Sequence, residues 1–597
     1  MLNSISDRVN AMRIWLKNHN YGAIIVPHED EYLNEYLPTH NERLRWLTNF
    51  SGSAGMAVIT NNKAAIFLDG RYVVQAHHEV PSEIFECYHV AEQSALNWIL
   101  KNVTHTSKVT IDPHMHNSSW LDYAQITLAS THNLTILKYN PIDKIWYDRP
   151  SATISDIQLM SIQSVGKSCL KKRDEIADLI KKMGADSAII TALDSICWLL
   201  NIRALDIPRL PVLLSHVILH NNSNVEFFLN SKRLPKKFRE HVGPGVTVYA
   251  PGLIQQRLET LSGKHILVDP KTSNAWFTIV LKKSNASIVK SSDPCLIPKA
   301  IKNKAEIAGI KTCHIRDGIA MIHFLAWLDA EISIGNLHDE ALLANKLDSI
   351  RKQDPTFKDL SFDTISAVGR NAAMCHYNYK TQSKPSQLTN NTMYLIDSGG
   401  QYLYGTTDIT RTVAVGKPSK TMIKQFTLVL KGHIGIAQAK FPKGTYGYQI
   451  DILARQHLWS EGYDYEHGTG HGVGHFLNVH EGPQHISKNR SSVPLMKNMV
   501  VSNEPGYYCN SFGIRIENLE LVVELPTKGD FPVLAFETLT LCPIDKRNIN
   551  LKMLTSSELY WLNNYHKKVW KKINPFVKDD VKQWLKQATE PLKTTEN

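Results

Sequence analysis

The sequence predicts a mixed α/β protein built from several folded units, and three observations support this. The chain is 597 residues long, and at about 150 residues per domain that length predicts roughly four units. Hydrophobic residues make up 43% of the chain and charged residues 21%, close to the globular average, so wholesale disorder is excluded. Stretches with helical apolar spacing also alternate with short β-branched runs of strand length.

Charge and targeting signals narrow the class of protein. The formal net charge of +11 is small for so long a chain, so it does not indicate a nucleic-acid partner. The segment Met1–Lys17 carries Asp7, Arg8 and Arg13 and lacks the apolar core of a secretory signal. No run approaches the roughly 18 apolar residues that a membrane helix needs. The sequence therefore predicts a cytoplasmic protein that binds neither membrane nor nucleic acid.

The cysteine pattern agrees with that compartment. The eight cysteines are scattered and form no C-x-x-C pair, which argues against a disulfide framework and against a zinc ribbon. We interpret them as buried thiols. They are Cys87, Cys169, Cys197, Cys295, Cys313, Cys375, Cys509 and Cys542.

The N-terminal part of the chain begins with a helix followed by strands. The segment Val9–Leu16 has helical apolar spacing, and the run Ala23–Val26 is typical of a strand. Two further short strands, Met56–Thr60 and Ala64–Leu68, are separated by two asparagines, as in a β-hairpin. These patterns predict an α/β unit.

A similar order recurs later in the chain. The second copy is predicted to contain a helix at Ile176–Lys182, a strand at Ser187–Ile190 and a hairpin formed by Val212–His220 and Val225–Leu229. A tryptophan precedes the hairpin in each copy, at Trp46 and Trp198. We therefore predict a diverged internal duplication, with an insertion around His28–Arg45 in the first copy.

Two polar, proline-containing stretches, Asn140–Ser151 and Ser291–Lys299, are predicted to be linkers between units. Capping boxes at Asn303/Glu306 and at Thr555/Glu558 predict a long helix that opens the third unit and a helix in the tail. A second amphipathic segment, Val577–Ala588, follows. The predicted domains are 1–150, a related second domain at 151–298, a third at 299–545 and a helical C-terminal extension at 546–597.

The third unit contains the residues that indicate chemistry. The apolar strand Met393–Ile396 leads into Asp397, and Asp408 follows eleven residues later after a glycine turn. This spacing suits two hairpin strands that present carboxylates to one cleft. A single aspartate at a strand end is most often a turn residue, so the pair needs further support.

A glycine-rich segment, His467–Gly474, supplies two histidines four residues apart. A zincin helix is excluded because no Glu follows His467, and because four glycines disfavour a helix. A phosphate-binding loop is excluded because the segment lacks G-K-[ST]. The segment is therefore predicted to be a loop or strand in which glycines allow close backbone approach.

Further carboxylates follow in the motifs Asn503-Glu504-Pro505-Gly506 and Ile514-Arg515-Ile516-Glu517-Asn518. In the second motif the alternation predicts that Arg515 and Glu517 share one strand face. Two Asp, one His and two Glu form a donor set suited to Mn²⁺, Mg²⁺, Fe²⁺ or Co²⁺ rather than to a thiolate metal. Without cations such a cluster of carboxylates repels itself, and four of them balance two divalent ions.

Three further motifs are Leu395-Ile396-Asp397-Ser398-Gly399, Thr406-Thr407-Asp408 and His467-Gly468-Thr469-Gly470-His471-Gly472. Together with the two motifs above, they resemble the motifs of aminopeptidase P, the Xaa-Pro aminopeptidases. The resemblance is to the large, cytosolic type and covers nearly the whole chain. It implies two related creatinase-like N-terminal α/β domains, a pita-bread catalytic domain and a C-terminal extension. It also implies that Asp397, Asp408, His471, Glu504 and Glu517 hold two metal ions, with Asp408 and Glu517 bridging them.

By the same resemblance, His376, His467, His480, Arg515 and Glu504 serve the substrate and the reaction. The implied reaction is release of the N-terminal residue from peptides with proline at the second position, through hydroxide activated by two metal ions. Manganese is the expected metal, with Co²⁺, Fe²⁺ or Zn²⁺ as alternatives. The implied partners are peptide substrates and a second copy in a homodimer, although the tail helix suits packing on its own chain equally well.

Three other functions are compatible with parts of this pattern, and each differs from an Xaa-Pro aminopeptidase in one feature. An Xaa-Pro dipeptidase, or prolidase, of the same fold requires a substrate that ends at the proline. A methionine aminopeptidase has no use for the N-terminal domains and the C-terminal extension. A non-catalytic pita-bread peptide-binding protein would lack some of the ligands.

Three departures from the family pattern concern loops and not ligands. The spacing from Glu504 to Glu517 is one residue short, which predicts a tightened loop around Cys509–Ser511. Asn498 stands where a turn glycine is common. His475 is interpreted as a structural residue. Tyr507 or Tyr508 is a candidate for the wall of the proline pocket together with His376, but such a tyrosine pair is more often core packing, which is the interpretation preferred here.

Overall fold

The computed structural model describes residues 4–593, which form two compact units. The N-terminal unit comprises the chain up to Ile162 and Lys167–Leu296, and the C-terminal unit comprises Gln163–Gly166 and the chain from Ile297. The finer division at 150, 298 and 545 stays a prediction. Among the described residues, no helix has the length and apolar composition needed to cross a membrane.

The N-terminal unit contains two six-stranded sheets, and each sheet is flanked by helices. The strands are β1 (Ala23–Pro27), β2 (Met56–Thr60), β3 (Ala64–Leu68), β4 (Glu86–His89), β5 (Lys108–Ile111), β6 (Asn133–Ile136), β7 (Gln158–Leu159), β8 (Ser187–Ile190), β9 (Ile202–Arg203), β10 (His216–His220), β11 (Val225–Phe228), β12 (Val246–Tyr249), β13 (His265–Val268) and β14 (Ser287–Lys290). The helices are α1 (Ile5–Asn18), α2 (Arg43–Thr48), α3 (Val73–Glu79), α4 (Ala95–Asn102), α5 (Ser118–Leu128), α6 (Ile142–Ile145), α7 (Ile162–Val165, at the unit boundary), α8 (Cys169–Lys182), α9 (Leu193–Leu199), α10 (Phe238–Val242), α11 (Ile254–Glu259) and α12 (Ala275–Lys283).

The two sheets have the same topology, which confirms the predicted duplication. Their strand orders are β4-β3-β2-β1-β5-β6 and β12-β11-β10-β8-β13-β14. In both sheets the central hairpin is antiparallel and the outer pairs are parallel. The predicted insertion in the first copy is also present. In the second copy α9 follows β8 almost directly, whereas in the first copy the segment between Pro27 and Arg43 separates the equivalent elements β1 and α2.

Three predictions in this unit need correction. The stretch Asn140–Ser151 is not a plain linker, because it contains α6 and buries Ile142 and Trp146 in the core of the first copy. The predicted strand from Val212 begins only at His216, because the preceding backbone N–H groups bond to the side chains of Asp206 and Cys197. Helix α8 was predicted to begin at Ile176, but it begins at Cys169, because Ser168 caps its N-terminus.

The C-terminal unit combines long helices with several β-sheets. Its helices are α13 (Leu296–Ala300, at the unit boundary), α14 (Lys304–Ser333), α15 (Glu340–Arg351), α16 (Lys420–Ala437), α17 (Gly447–Trp459), α18 (Ser556–Ile573) and α19 (Asp579–Thr589). Its strands are β15 (Phe357–Leu360), β16 (Ile365–Val368), β17 (Thr392–Ser398), β18 (Gly400–Tyr402), β19 (Gly405–Thr406), β20 (Ile409–Val415), β21 (Lys440–Pro442), β22 (Gly470–Gly472), β23 (Glu481–Ile486), β24 (Val500–Asn503), β25 (Gly506–Cys509), β26 (Phe512–Arg515), β27 (Asn518–Leu525) and β28 (Val533–Thr538).

Both capping boxes predicted for this unit are present. The side chain of Asn303 accepts from the backbone of Glu306 at the start of α14, and Thr555 does the same for Glu558 at the start of α18. The tail helix α19 begins two residues later than predicted and ends one residue later. The stretch Ser291–Lys299 is not entirely linker, because α13 begins at Leu296.

The sheets of this unit position the site. Strand β17 pairs with β16 and β20, and a separate sheet has the order β21-β28-β27-β24-β22-β23. The hairpin β25-β26 closes through a two-residue turn, Asn510 and Ser511. That this loop is shorter than in the family stays a prediction. Asn498 has a φ of 71°, the left-handed conformation that favours glycine and that asparagine tolerates.

Candidate functional site

Four carboxylates and one imidazole converge in the C-terminal unit. Asp397 lies in β17 and Asp408 directly precedes β20, its antiparallel partner. His471 lies in β22 and Glu504 directly follows β24, the neighbouring strand. Glu517 lies between β26 and β27. Each group is held by a strand or by the residue next to one, so paired backbone determines where its side chain begins.

Three of these side chains form a tight cluster. Asp408, His471 and Glu517 each offer a potential metal-ligand atom, and these atoms lie within 4.8 Å of one another. His471 Nε2 is also 3.5 Å from an oxygen of Asp408 and 3.3 Å from an oxygen of Glu504. His471 Nδ1 is 2.9 Å from the carbonyl oxygen of Gly472. Nδ1 donates to that carbonyl, and Nε2 faces the carboxylates. Although burial opposes it, contact with Asp408 and Glu504 raises the pKa of His471 well above its usual value, so Nε2 also carries a proton when no cation is bound. A bound cation would take the place of that proton.

Burial and mutual repulsion dominate the electrostatics of the cluster. Burial and the charge of Asp408 raise the pKa of Asp397 to about 6, against the lowering effect of Arg515. Burial, Asp408 and Glu504 raise the pKa of Glu517 well above its usual value. Although burial opposes it, contact with His471 lowers the pKa of Glu504. The chain therefore concentrates negative charge where water solvates it poorly.

The donor set fits a pair of divalent cations. Within the described residues, Asp397 Oδ1 is buried and has no hydrogen-bond partner, so its lone pairs are available. Four carboxylates neutralise two divalent charges, and the oxygen and imidazole donors are those that Mn²⁺, Fe²⁺, Co²⁺ and Zn²⁺ accept. Cations at this place would remove both the repulsion and the unsatisfied oxygen.

Neighbouring hydroxyls orient two of the carboxylates. Thr410 Oγ1 donates to Glu517 Oε2 at 2.9 Å. Ser502 Oγ donates to Glu504 Oε1 at 3.1 Å and accepts from the backbone N–H of His471 at 2.9 Å. Such outer contacts fix the direction of the ligand oxygens. Sequence reasoning did not select Thr410 or Ser502, because hydroxyl residues at these spacings carry no signal of their own.

A chain of hydrogen bonds runs from Asp397 to His467. Arg515 donates through Nη2 to Asp397 at 2.6 Å and through Nη1 to the Tyr508 hydroxyl at 2.6 Å. The Tyr508 hydroxyl is 2.8 Å from His467 Nε2, and His467 Nδ1 is 2.7 Å from the carbonyl oxygen of Gly468. With Nδ1 donating to that carbonyl, Nε2 accepts the tyrosine proton. Burial lowers the pKa of His467 to about 4, so this ring is neutral.

The core-packing interpretation holds for both tyrosines but is incomplete for Tyr508. Both pack against the same hydrophobic cluster, where Tyr507 lies edge-on to Tyr463, and the Tyr508 hydroxyl also contacts His467 and Arg515. The two residues follow one another on β25, and successive side chains of a strand point to opposite faces. This alternation predicts that one of the two tyrosines faces the site, but nothing in the sequence indicates which one.

The remaining predicted site residues lie in the same region. The ring of His480 is 4.4 Å from that of His471. His376 is half-buried and follows Cys375, whose carbonyl oxygen accepts from Arg515 at 3.4 Å. His475 is buried, in keeping with its structural interpretation. The individual roles assigned to these side chains stay predictions.

Arg515 and Glu517 do not share one continuous strand, as the alternation predicted. Strand β26 ends at Arg515 and β27 begins at Asn518, so Glu517 lies in the junction. The junction bonds to β20, where the Glu517 N–H donates to the Thr410 carbonyl at 3.2 Å. Both side chains nevertheless contact the Thr410 hydroxyl, so they do face the same site.

Helix α17 anchors the His467 loop through residues that sequence reasoning missed. Arg455 is 1% exposed and donates to the carbonyls of Tyr465 and His467 at 2.7 and 2.9 Å. One turn earlier, Asp451 accepts from Arg455 at 2.7 Å and from the Thr469 hydroxyl at 2.5 Å. The i,i+4 spacing of the Asp and Arg was a visible signal, although such pairs are usually on the surface.

The chain matches four family models. They are the creatinase/prolidase N-terminal domain at residues 8–139 and, in a second model, at 148–306, metallopeptidase family M24 at 308–524, and the C-terminal region of peptidase M24 at 532–592. The two N-terminal matches cover the two copies of the duplicated sheet.

Relatives resemble the chain along its whole length. Xaa-Pro aminopeptidase 1 of Dictyostelium discoideum is 39% identical, with 99% of this chain and 97% of the relative covered. Aminopeptidase P1 of Lotus japonicus is 33% identical, with 98% and 100% covered. The crystal structure of X-prolyl aminopeptidase from Caenorhabditis elegans, described as a cytosolic enzyme with a di-nuclear active site, has a TM-score of 0.95 at 32% identity and covers 99% of this chain and 100% of its own.

A prolidase resembles only part of the chain. The Xaa-Pro dipeptidase from Bacillus anthracis has a TM-score of 0.51 at 22% identity and covers 63% of this chain and 99% of its own. This similarity concerns the fold alone.

We expect Glu517→Gln to stabilise the metal-free protein while weakening its binding of divalent metal. Glutamine keeps the hydrogen bond from Thr410 and is neutral at every pH, so it avoids the cost of burying a charge or of taking up a proton on folding, which should add roughly 1–2 kcal/mol to the free energy of unfolding. Urea unfolding of chelator-treated protein measures the first effect, and calorimetric titration with Mn²⁺ measures the second.

The matched control is Glu520→Gln. Glu520 is equally buried, and burial raises its pKa to about 8, so its carboxyl group is already neutral at pH 7. This variant should leave Mn²⁺ binding unchanged. Equal Mn²⁺ affinities of the Glu517→Gln variant and the unmodified protein would contradict the assignment of Glu517 to the metal cluster.

Proposed function

The chain belongs to the Xaa-Pro aminopeptidases of metallopeptidase family M24, and on that basis we propose a role for each site residue in the reaction. It is a metal-dependent aminopeptidase that uses two divalent metal ions and releases the N-terminal residue from peptides with proline at the second position. The observation that carries the assignment of residues is the convergence of Asp408, His471 and Glu517 within 4.8 Å.

The proposed metal ligands are Asp397, Asp408, His471, Glu504 and Glu517, which would hold the two ions between them. Their support is the buried, unpartnered oxygen of Asp397 and the position of His471 Nε2 between two carboxylates. We propose Mn²⁺ as the metal because four of the five ligands are hard oxygen donors. When bound, the two ions lower the pKa of a water and polarise the scissile carbonyl.

Glu504 is proposed to manage the proton of the reaction. Water must lose a proton when its oxygen bonds to the carbonyl carbon, and the proline nitrogen must gain one when the C–N bond breaks. A glutamate is ionised at neutral pH, so a carboxylate oxygen of Glu504 can accept the proton from the water and return it to the proline nitrogen. The hydrogen bond from Ser502 holds its oxygen in place.

The histidines are proposed to hold the peptide. His480, whose ring is 4.4 Å from His471, is placed to donate to the oxygen of the tetrahedral intermediate. His467 has a fixed tautomer because Tyr508 and the Gly468 carbonyl occupy its two nitrogens. His376 is proposed as a wall for the proline ring, whose fixed φ and missing N–H require a shaped pocket rather than a hydrogen bond.

Arg515 is proposed to join the metal ligands to the peptide-binding residues. It pairs with Asp397 and donates to Tyr508, which contacts His467. Its planar guanidinium allows both contacts at once, whereas a lysine is a point charge without this geometry.

Compartment and assembly are also proposals. A cytoplasmic location is supported by the similarity to a structure described as a cytosolic enzyme. For a homodimer the tail helices add no support, because Leu562, Val569 and Leu585 are buried in a hydrophobic cluster of their own unit. Sedimentation of the purified protein would distinguish a monomer from a dimer.

We expect Asp408→Asn to lower kcat/KM by at least roughly a thousandfold with an Xaa-Pro peptide. The substitution removes the charge of a proposed metal ligand with little change of shape. Chelation with EDTA should abolish activity, and added Mn²⁺ should restore it to the original enzyme but not to the variant. Full activity in the presence of EDTA, or a fully active variant, would contradict the metal mechanism.

Peptide length distinguishes an aminopeptidase from a prolidase. We expect Xaa-Pro-Yaa-Zaa peptides to be cleaved with a kcat/KM at least roughly tenfold above that of the Xaa-Pro dipeptide, a difference of about 1.4 kcal/mol in the barrier. Mass spectrometry of the products measures this, and the Asp408→Asn protein controls for contaminating peptidases. Cleavage restricted to the dipeptide would show a prolidase.

Removing the anchor of the His467 loop should affect substrate binding. We expect Arg455→Met to raise KM roughly tenfold, equivalent to about 1.4 kcal/mol of binding, with a smaller effect on kcat. The matched control is Arg351→Met, because Arg351 is also buried and pairs with Asp317 at 2.8 Å in the same unit without contacting a predicted site residue. Both variants should melt at lower temperature. Equal KM changes in the two would show that Arg455 has no particular role at the site.

A further inference from the structure

A buried arginine behind the metal cluster is bonded in an unusual way. Arg411, on β20, is 1% exposed. Its guanidinium donates to six acceptors, which are four backbone carbonyls, the amide oxygen of Asn518 and the hydroxyl of Tyr565. Burying a charge is costly unless it is fully hydrogen-bonded. The arrangement uses all the donors of one side chain to hold several segments together.

The first of these segments carries Glu517. Arg411 Nη1 donates to the carbonyl oxygens of Thr410 at 2.8 Å and of Glu517 at 2.7 Å. The Glu517 N–H donates to the same Thr410 carbonyl at 3.2 Å, and Thr410 Oγ1 donates to Glu517 Oε2 at 2.9 Å. Glu517 lies in the junction between β26 and β27, where regular strand pairing does not hold it. Thr410 and Arg411 therefore fix its backbone and its carboxylate together.

The second segment is the C-terminal helix α18. Arg411 Nη2 donates to the Tyr565 hydroxyl at 2.9 Å and to the Cys542 carbonyl at 2.7 Å. The Tyr565 hydroxyl is also 2.8 Å from that carbonyl and 3.3 Å from Asn518 Oδ1. Tyr565 is buried, and its ring is stacked on Trp561 at 5.3 Å. The position of the hydroxyl is thus set by the helix.

The same helix packs against the strand that leads to Glu517. Leu562 and Val569 of α18 share a hydrophobic cluster with Ile514 and Ile516. The apolar contact and the Arg411 hydrogen bonds therefore act on the same stretch of chain, immediately before and at Glu517. Side chains on one strand alternate between its faces, so Thr410 contacts the site while Arg411 contacts the helix.

We propose that Tyr565 and Arg411 are positioning residues that couple the C-terminal helical extension to the metal centre by fixing Glu517. The proposal rests on the proposed role of Glu517 as a metal ligand. In it, the extension supplies the partner that holds the Arg411 guanidinium, and Arg411 holds the Glu517 carbonyl. Loss of the tyrosine hydroxyl lets the guanidinium reorient, so the Glu517 carboxylate becomes less well directed.

The test is Tyr565→Phe, which removes one hydroxyl and keeps the ring and its packing. We expect Mn²⁺ to bind the metal-free variant about tenfold more weakly in a calorimetric titration, as for other losses of outer-shell contacts. The visible absorption of the Co²⁺-loaded variant should also change, because its bands report the ligand geometry. The matched control is Tyr560→Phe, on the same helix but 70% exposed, which should leave affinity and spectrum unchanged.

Three outcomes separate the possibilities. Weaker Mn²⁺ binding and a changed Co²⁺ spectrum in Tyr565→Phe alone support the proposal. A lower melting temperature with unchanged affinity and spectrum would overturn it and leave Tyr565 a purely structural residue. Glu517→Gln is titrated in parallel: if it binds Mn²⁺ as tightly as the unmodified protein, the proposed metal site itself has failed. Arg411→Lys, which has fewer donors, should fold less stably and weaken Mn²⁺ binding at least as much as Tyr565→Phe.

Discussion

The repulsion among buried carboxylates is the constraint on which the C-terminal unit depends. Burial raises the pKa of Asp397 and Glu517, and the charges of Asp408 and Glu504 raise them further. In surroundings that screen charge poorly, like charges a few ångströms apart oppose folding. The structure keeps them together with strand pairing and with the positive groups His471 and Arg515, and divalent cations would complete the balance.

Rigid support explains why such a cluster is compatible with a stable fold. The ligands lie on strands or directly beside them, where backbone hydrogen bonds resist displacement. Hydroxyls of Thr410 and Ser502 orient two carboxylates, and buried arginines hold the irregular segments. The support therefore comes from hydroxyl and guanidinium donors, which add no negative charge to the site. Preorganisation of this kind keeps the ligands from turning apart to relieve their repulsion.

Local signals in the sequence predicted more of this structure than long-range ones did. The capping boxes at Asn303 and Thr555 depend on residues three apart, and the hairpin at Met56–Leu68 depends on its turn. The sequence therefore predicted both kinds of feature correctly. The site residues were identified through motifs and not through spacing. Tyr508 and Arg455 were missed because their importance depends on which carbonyl or ring they meet, and such contacts arise only when distant segments pack. The break between β26 and β27 was missed for the same reason.

A buried arginine holds each of the two irregular segments of the site. Arg455 bonds to carbonyls of the His467 loop, and Arg411 bonds to carbonyls around Glu517. A loop or strand junction leaves carbonyls that no strand partner satisfies, and buried carbonyls need donors. Arginine offers five N–H groups in one rigid plane, so one side chain can satisfy several carbonyls and fix their relative positions. Helices α17 and α18 each contribute to such a contact, through Arg455 itself and through Tyr565. Parts of the chain remote from the ligands in sequence therefore determine how accurately the ligands are held.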